Sequence, residues 1–282
     1  MMVPHSAKEA KALLGSYGLS PRKKFGQNFL TDESLLSDIA EIAGVSKSDT
    51  VLEIGPGLGT LTAVLADRAG EVVSLEIDKG LIPVLNDVLS EYENVSIVNA
   101  DVMKVSVTEV LGDRSHLKIV ANLPYYITTP ILMKLLEEDI PFESITVMVQ
   151  KEVAERMCQG PGSRDYGALS LAVQYYTRPE IMLIVPPESF TPPPAVDSAV
   201  IRLTRLDEAP VDAPADKLFA VIRAAFNQRR KTLVNSLAGG GICSGDKTVI
   251  AEAISDVGLE SNVRAEQLSL EQFSELTKKI YS

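Results

Sequence analysis

With 282 residues, 45% of them hydrophobic, the chain can bury a large core and fits one large domain plus a small one. No run of about eighteen apolar residues occurs and the N-terminal residues are charged, which excludes a membrane-spanning protein and makes a cytoplasmic one the expectation. A net charge of −11 argues against an evenly basic nucleic-acid binder, and two histidines (His5, His116) with two distant cysteines (Cys158, Cys243) exclude a zinc site or a histidine-based triad, so no metal is expected.

The first 24 residues hold Lys8, Lys11, Arg22, Lys23 and Lys24 against a single Glu9. This local basic patch can grip phosphates, or it is a solvated charged face. From residue 51 short apolar runs alternate with amphipathic stretches. Val51 to Ile54, Val72 to Ile77, Val95 to Val98, Leu117 to Ala121 and Ile145 to Val149 read as buried strands. Thr60 to Ala69, Leu81 to Leu89, Thr129 to Leu136 and Glu152 to Met157 read as helices between them. Such alternation predicts a mostly parallel sheet covered on both faces.

Ile181 to Val185 and Ser198 to Leu203 break the rhythm: two strands joined by a Pro-rich loop with no helix-length crossover are most simply antiparallel. Asp207 to Pro214 is then a linker rich in Pro, Asp and Ala. Helical patterns follow at Lys217 to Phe226, Arg230 to Leu237, Thr248 to Val257 and Leu270 to Tyr281, broken by Gly239, Gly240 and Gly241. The expected division is an α/β domain over 1–206 and a small helical domain over 207–282. Within the second, Arg223, Arg229, Arg230 and Lys231 form a run of cations without an acid.

Glu53-Ile54-Gly55-Pro56-Gly57-Leu58-Gly59-Thr60 follows a strand and opens a helix. Glycines there let backbone approach a bulky ligand at a helix N-terminus. The G-x-G-x-G spacing is one residue short of the dinucleotide fingerprint and favours an adenosyl amino acid over a pyrophosphate. Glu76 ends the next strand, where a carboxylate can accept ribose hydroxyls, and Asp101 follows the third, where it can accept from an adenine amino group. An acid after a strand is also an ordinary helix cap.

The fourth strand runs into Asn122-Leu123-Pro124-Tyr125-Tyr126, facing the ligand crevice of such a sheet. The Asn122 side-chain oxygen and the Leu123 carbonyl can accept both N–H bonds of an exocyclic adenine nitrogen. Tyr125 can stack on the base. Taken alone, the same string reads as a Pro-containing turn with an aromatic anchor.

Together these motifs resemble the ribosomal RNA adenine dimethyltransferase family. The others that agree are Lys24 to Leu30, Glu76-Ile77-Asp78, Asn99-Ala100-Asp101, Gln150 to Ala154 and Phe190 to Ser198. The resemblance implies the class I S-adenosylmethionine-dependent methyltransferase fold, Rossmann-like with an antiparallel last strand, plus a C-terminal helical domain. It implies S-adenosylmethionine as cofactor, with Asn28 and Leu30 at its methionine end, Gly55 and Gly57 beneath it, Glu76 on its ribose, Asp101 on its adenine and Asn122 beside it. Asn122, Leu123, Pro124 and Tyr125 would hold the target adenine, and Phe190 would stack on its other face; from the sequence alone Phe190 is equally a core aromatic. The implied substrate is 16S ribosomal RNA in the 30S subunit, dimethylated on two adjacent adenosines near its 3′ end. Arg223, Arg229, Arg230, Lys231, Lys23 and Lys24 would meet the RNA, and a monomer is expected.

Two alternatives share the scaffold: a large-subunit (23S) adenine methyltransferase of the resistance type, and a non-catalytic assembly or transcription factor. The Phe190 to Ser198 loop and the Phe226 to Lys231 run favour the small-subunit branch over the first. Glu76, Asp101 and Asn122, which a pure scaffold does not need, argue against the second.

Overall fold

The structure, a computed structural model, describes residues 3–22, 25–228 and 230–282. The chain folds into two units: residues 1–154 with 178–205, and residues 155–177 with 206–282.

The first unit begins with α1 (Ala7–Ser16), β1 (Phe29–Leu30) and α2 (Glu33–Ile42). Side-chain oxygens cap both helices: Ser6 accepts the Glu9 N–H and Asp32 the Leu35 N–H. The alternating region then runs β2 (Thr50–Ile54), α3 (Thr60–Arg68), β3 (Glu71–Glu76), α4 (Ile82–Val88), β4 (Val95–Asn99), α5 (Val107–Leu111), β5 (Leu117–Asn122), α6 (Thr128–Glu137) and β6 (Phe142–Gln150). Beyond α7 (Lys151–Met157) and α8 (Ala168–Tyr176) come β7 (Thr177–Val185), β8 (Phe190–Thr191) and β9 (Ser198–Arg205).

Seven strands form one sheet in the order β4-β3-β2-β5-β6-β9-β7. β2 pairs in parallel with both β3 and β5, while β9 runs antiparallel to β6. All five residues of β2 are buried, Glu53 included, as expected of a strand covered on both faces. The strand order reverses at β2. Loops leaving β2 and β5 therefore diverge, and a crevice opens at their C-terminal ends.

Two apolar clusters hold the helices in place. Leu35, Leu36 and Ile39 of α2 pack with Leu61 and Leu65 of α3 and with Val51, Val72 and Val120 of the sheet. Leu13 and Leu14 of α1 pack with Phe29, Leu58, Val84 and Leu85. Outside the main sheet, β1 pairs antiparallel with β8, Leu30 opposite Phe190. This small pair and α8 have no counterpart among the expected elements.

The second unit contains α9 (Ala215–Phe226), α10 (Leu233–Gly239), α11 (Lys247–Asp256) and α12 (Leu270–Ile280) together with residues 155–177. That inclusion corrects the expected 207–282 boundary, and aromatic packing is the reason. Tyr175 and Tyr176 of α8 lie 5.1 and 5.5 Å from the Phe219 ring. Tyr166, only 1% exposed, meets Phe226 edge-on, and Phe226 in turn meets Phe273. Among the described residues no helix is long and apolar enough to cross a membrane. No group of three or more His, Cys, Asp or Glu among them can hold a metal ion.

Candidate active site

The loop after β2 is shaped by glycines in the left-handed region. Gly57 has φ +59°, and a Cβ there would come within 3.1 Å of the Phe29 ring. Only glycine allows this loop to lie against β1. Beneath it, Glu53 is 1% exposed and accepts from Thr62 Oγ1 at 2.6 Å and Ser74 Oγ at 2.8 Å. Burial pushes its carboxyl up to about 7, those two hydrogen bonds opposing and the nearby Glu76 charge adding to the rise. Glu53 thereby ties β2, β3 and α3 together under the loop.

Glu76, at the end of β3, is 4% exposed and faces the loop from the other side. Its Oε2 accepts the Gly57 N–H at 3.3 Å and its Oε1 the Asp78 N–H at 2.7 Å. Burial raises its carboxyl above the usual range despite these bonds, and Asp78 contributes in the same direction.

The segment before α2 crosses the crevice as a strap. Thr60 Oγ1 donates to the Leu30 carbonyl at 2.8 Å, and Asn122 Nδ2 donates to the Asn28 carbonyl at 3.1 Å. Further back, the Arg22 guanidinium lies 2.7 Å from the buried Asp78 carboxylate, which Gln27 Nε2 also reaches at 3.0 Å. Arg22, Gln27 and Asp78 are structural members of the site that sequence reasoning missed. The one available signal was that Gln27 and Asp78 stand inside two of the recognised motifs.

On the far wall, Pro124 supplies a rigid turn whose carbonyl accepts from Ile127 N–H and Thr128 Oγ1. Leu123 N–H donates to Met148 across β6, while its own carbonyl receives no hydrogen bond among the described residues. Tyr125 is half-buried, its hydroxyl 2.6 Å from Ser198 Oγ, and burial raises that hydroxyl's pKa.

These elements form a cleft lined by Asn28, Leu30, Glu53, Gly55, Gly57, Glu76, Asn122, Leu123, Pro124 and Tyr125, among others. Asp101 stands beside the cleft rather than in its wall. One of its oxygens accepts the Met103 N–H at 3.0 Å within a turn, and the other is 3.7 Å from Lys104. Its neighbour Ala100 donates to the Glu76 carbonyl at 3.0 Å, which keeps it next to the β3 end.

Phe190 is a correction. It is 3% exposed and packs in the core with Leu30, Met148, Val185 and Val200, because the β1–β8 pairing turns it inward. No ring face is open to a base. Arg223, Arg230 and Lys231 are exposed on the second unit. Lys23, Lys24 and Arg229 lie outside the described residues.

The family described as "Ribosomal RNA adenine dimethylase" matches residues 18–281. Among relatives, a "Ribosomal RNA small subunit methyltransferase A" from Lachnoclostridium phytofermentans is 53% identical over 274 residues, covering 95% of this chain and 94% of its own. A protein of the same name from Clostridium botulinum (strain Okra / Type B1) is 47% identical over 272 residues, 96% and 98% of the two chains. Among solved structures, a dimethyladenosine transferase from Plasmodium falciparum superposes with TM-score 0.73 at 26% identity, covering 88% of this chain and 95% of that one. The 23S rRNA methyltransferase ErmE superposes with TM-score 0.65 at 29% identity, covering 90% and 100%. The parallel sheet with its reversed β9, followed by helices, is the class I methyltransferase fold with a C-terminal helical part. Matched over nearly its whole length, the chain belongs to the ribosomal RNA adenine dimethylase family.

Proposed function

We propose that this protein transfers methyl groups from S-adenosylmethionine to adenine N6 in 16S ribosomal RNA, dimethylating two adjacent adenosines near the 3′ end within the 30S subunit or its precursor. The observation that carries the reading is the Asn122 amide: its nitrogen is committed to the Asn28 carbonyl at 3.1 Å, so its oxygen is the group offered to the cleft. Small-subunit specificity rests on the 53% and 47% identical relatives, against 29% for the 23S enzyme.

The cleft fits an adenosyl amino acid. Gly55 and Gly57 leave backbone rather than side chains beneath it, and the Glu76 carboxylate is placed to accept ribose hydroxyls. Asn28 and Leu30 take the amino-acid end, and Asp101, beside Glu76, takes the adenine amino group. Bound there, the cofactor supplies an electrophilic methyl on a sulfonium sulfur.

The chain's own residues do the rest. Asn122 Oδ1 and the Leu123 carbonyl accept the two N6–H bonds of the target adenine, drawing the nitrogen toward a tetrahedral shape and freeing its lone pair for in-line attack. As the N–C bond forms the C–S bond breaks, and the surplus proton on nitrogen then leaves to solvent, so no strong base is required. Tyr125, anchored through Ser198, holds the base by stacking, and such positioning supplies on the order of several kcal/mol. Arg223, Arg230 and Lys231, with Lys23, Lys24 and Arg229, provide the cations for RNA phosphates on an otherwise acidic protein. We place this activity in the cytoplasm and in a monomer.

The test is incubation of the purified protein with labelled S-adenosylmethionine and undermethylated 30S particles, with Asn122→Ala in parallel and mass spectrometry of the RNA. Dimethyladenosine near the 3′ end, lost in the variant, is the expected result. Methylation of 23S RNA alone, or cofactor binding without any methylation, would overturn it in favour of a resistance-type enzyme or an assembly factor.

A further inference from the structure

Tyr126 directly follows the cleft-wall residue Tyr125, yet it is 58% exposed, the most open of the large hydrophobic side chains among the described residues. Scattered exposed hydrophobics are ordinary. Here the exposure falls at the cleft mouth, and the backbone is arranged to seat it. The Cδ1–Cε1 edge of the ring lies against Gly26 of the strap, where a Cβ would come within 3.2 Å of Cδ1 and 3.5 Å of Pro124 Cβ. Gly26 has φ +59°, so glycine there serves both the turn and the ring.

We propose that Tyr126 is a second base subsite: its ring is the stacking platform for the nucleotide next to the target adenine in the single-stranded RNA. This rests on the reading of the cleft as an RNA adenine site. An adenine drawn into the cleft leaves its stack, and its neighbour loses a stacking partner at the point where Tyr126 stands. Aromatic side chains take up unstacked bases because every base offers a π face, which makes such a platform tolerant of base identity. Tyr126 does not line the cleft, so its contribution is to holding the strand, not to the cofactor.

The experiment measures KM and kcat for undermethylated 30S particles, and the cofactor dissociation constant, in wild type, Tyr126→Ala, Tyr126→Leu and Tyr126→Phe. Loss of one base-stacking contact raises KM roughly tenfold in the Ala and Leu variants, leaves Phe within about twofold, and leaves cofactor affinity unchanged in all three. A Leu variant as good as Phe means an apolar contact with a ribosomal protein and overturns the proposal, as does an Ala variant with unaltered KM. Should Ala perturb the fold, the cofactor constant will show it, and the Leu–Phe comparison still decides. A wild type that methylates no RNA instead refutes the proposed function itself.

Discussion

The Asn122 side chain donates to the Asn28 carbonyl across 3.1 Å, joining residues 94 apart in sequence and locking the strap to the end of β5. One amide thereby fixes the strap, and the proposed mechanism leaves its oxygen for the target base. Asn122→Asp keeps the size but replaces the donor with a second acceptor, so the Asn28 carbonyl meets a carboxylate. Single-turnover methyl transfer falls on the order of 100-fold, the scale for one misplaced polar group at a reacting centre, and cofactor affinity falls with it. Unchanged cofactor binding in a titration would show that the strap does not depend on this bond.

Glu53 makes stability depend on pH. Its carboxyl ionises near the ordinary value when unfolded and only at about 7 when folded, chiefly because it is buried. Between those values the folded chain binds more protons than the unfolded one, so this group's contribution is full below the unfolded pKa and is lost as pH rises through about 7. Glu53→Gln removes the titration. Denaturant midpoints at pH 5 and pH 8 should show wild type losing up to about 3 kcal/mol relative to the variant over that interval. Parallel pH profiles for the two proteins would contradict the assignment.

Much of this site was legible because parallel strands buried on both faces read as apolar runs, and the glycine loop and the Asn122 to Tyr126 turn sit where two such runs end. What escaped was contact at long range. A two-residue strand such as Phe29–Leu30 has no periodicity, and its partner lies far along the chain, so the sequence left Phe190 open between a stacking and a core role that only this pairing decides. Asp101 illustrates a different ambiguity: a carboxylate after a strand serves equally for local turn bonding or as a ligand, and here one oxygen accepts the Met103 N–H within a turn. Residues 155–177 joined the helical unit through Tyr166, Tyr175 and Tyr176, whose aromatic partners are on α9.

Gly57→Ala separates backbone strain from collision. Its positive φ costs an alanine about 1 kcal/mol, and the added methyl meets a Phe29 ring that is 5% exposed and hemmed in by Leu58 and Leu85. Gly241 is also in the left-handed region, φ +80° and ψ +8°, with nothing within 4 Å of its Cβ position. Urea unfolding should therefore show Gly57→Ala losing about 2 kcal/mol or more and Gly241→Ala about half of that. Equal losses would mean the Phe29 ring yields freely.

Arg22 holds the strap from its other end. Asp78 is 4% exposed, so deleting the guanidinium leaves a buried carboxylate with Gln27 and the Gly80 N–H as partners. The Arg22 side chain is itself 42% exposed, which keeps the loss below that of a fully buried pair. Arg22→Ala should cost about 1–2 kcal/mol and weaken cofactor binding several-fold, with Arg22→Lys recovering most of both. Calorimetric titration with S-adenosylmethionine checks the second effect; a cofactor constant indifferent to Arg22 would confine the ion pair to stability.

Arg230 and Lys231 are exposed cations in the α9–α10 connection, on a chain whose net charge is −11. If they contact phosphates, each releases counterions on binding, and the salt dependence of affinity carries their signature. Removing either by substitution with alanine lowers the slope of log K against log salt by roughly 1 and weakens binding at low salt more than at high. The same substitutions on a merely solvated face change neither slope nor affinity. Filter binding of 30S particles at three salt concentrations distinguishes the cases, and unchanged slopes would move the RNA contact away from this connection.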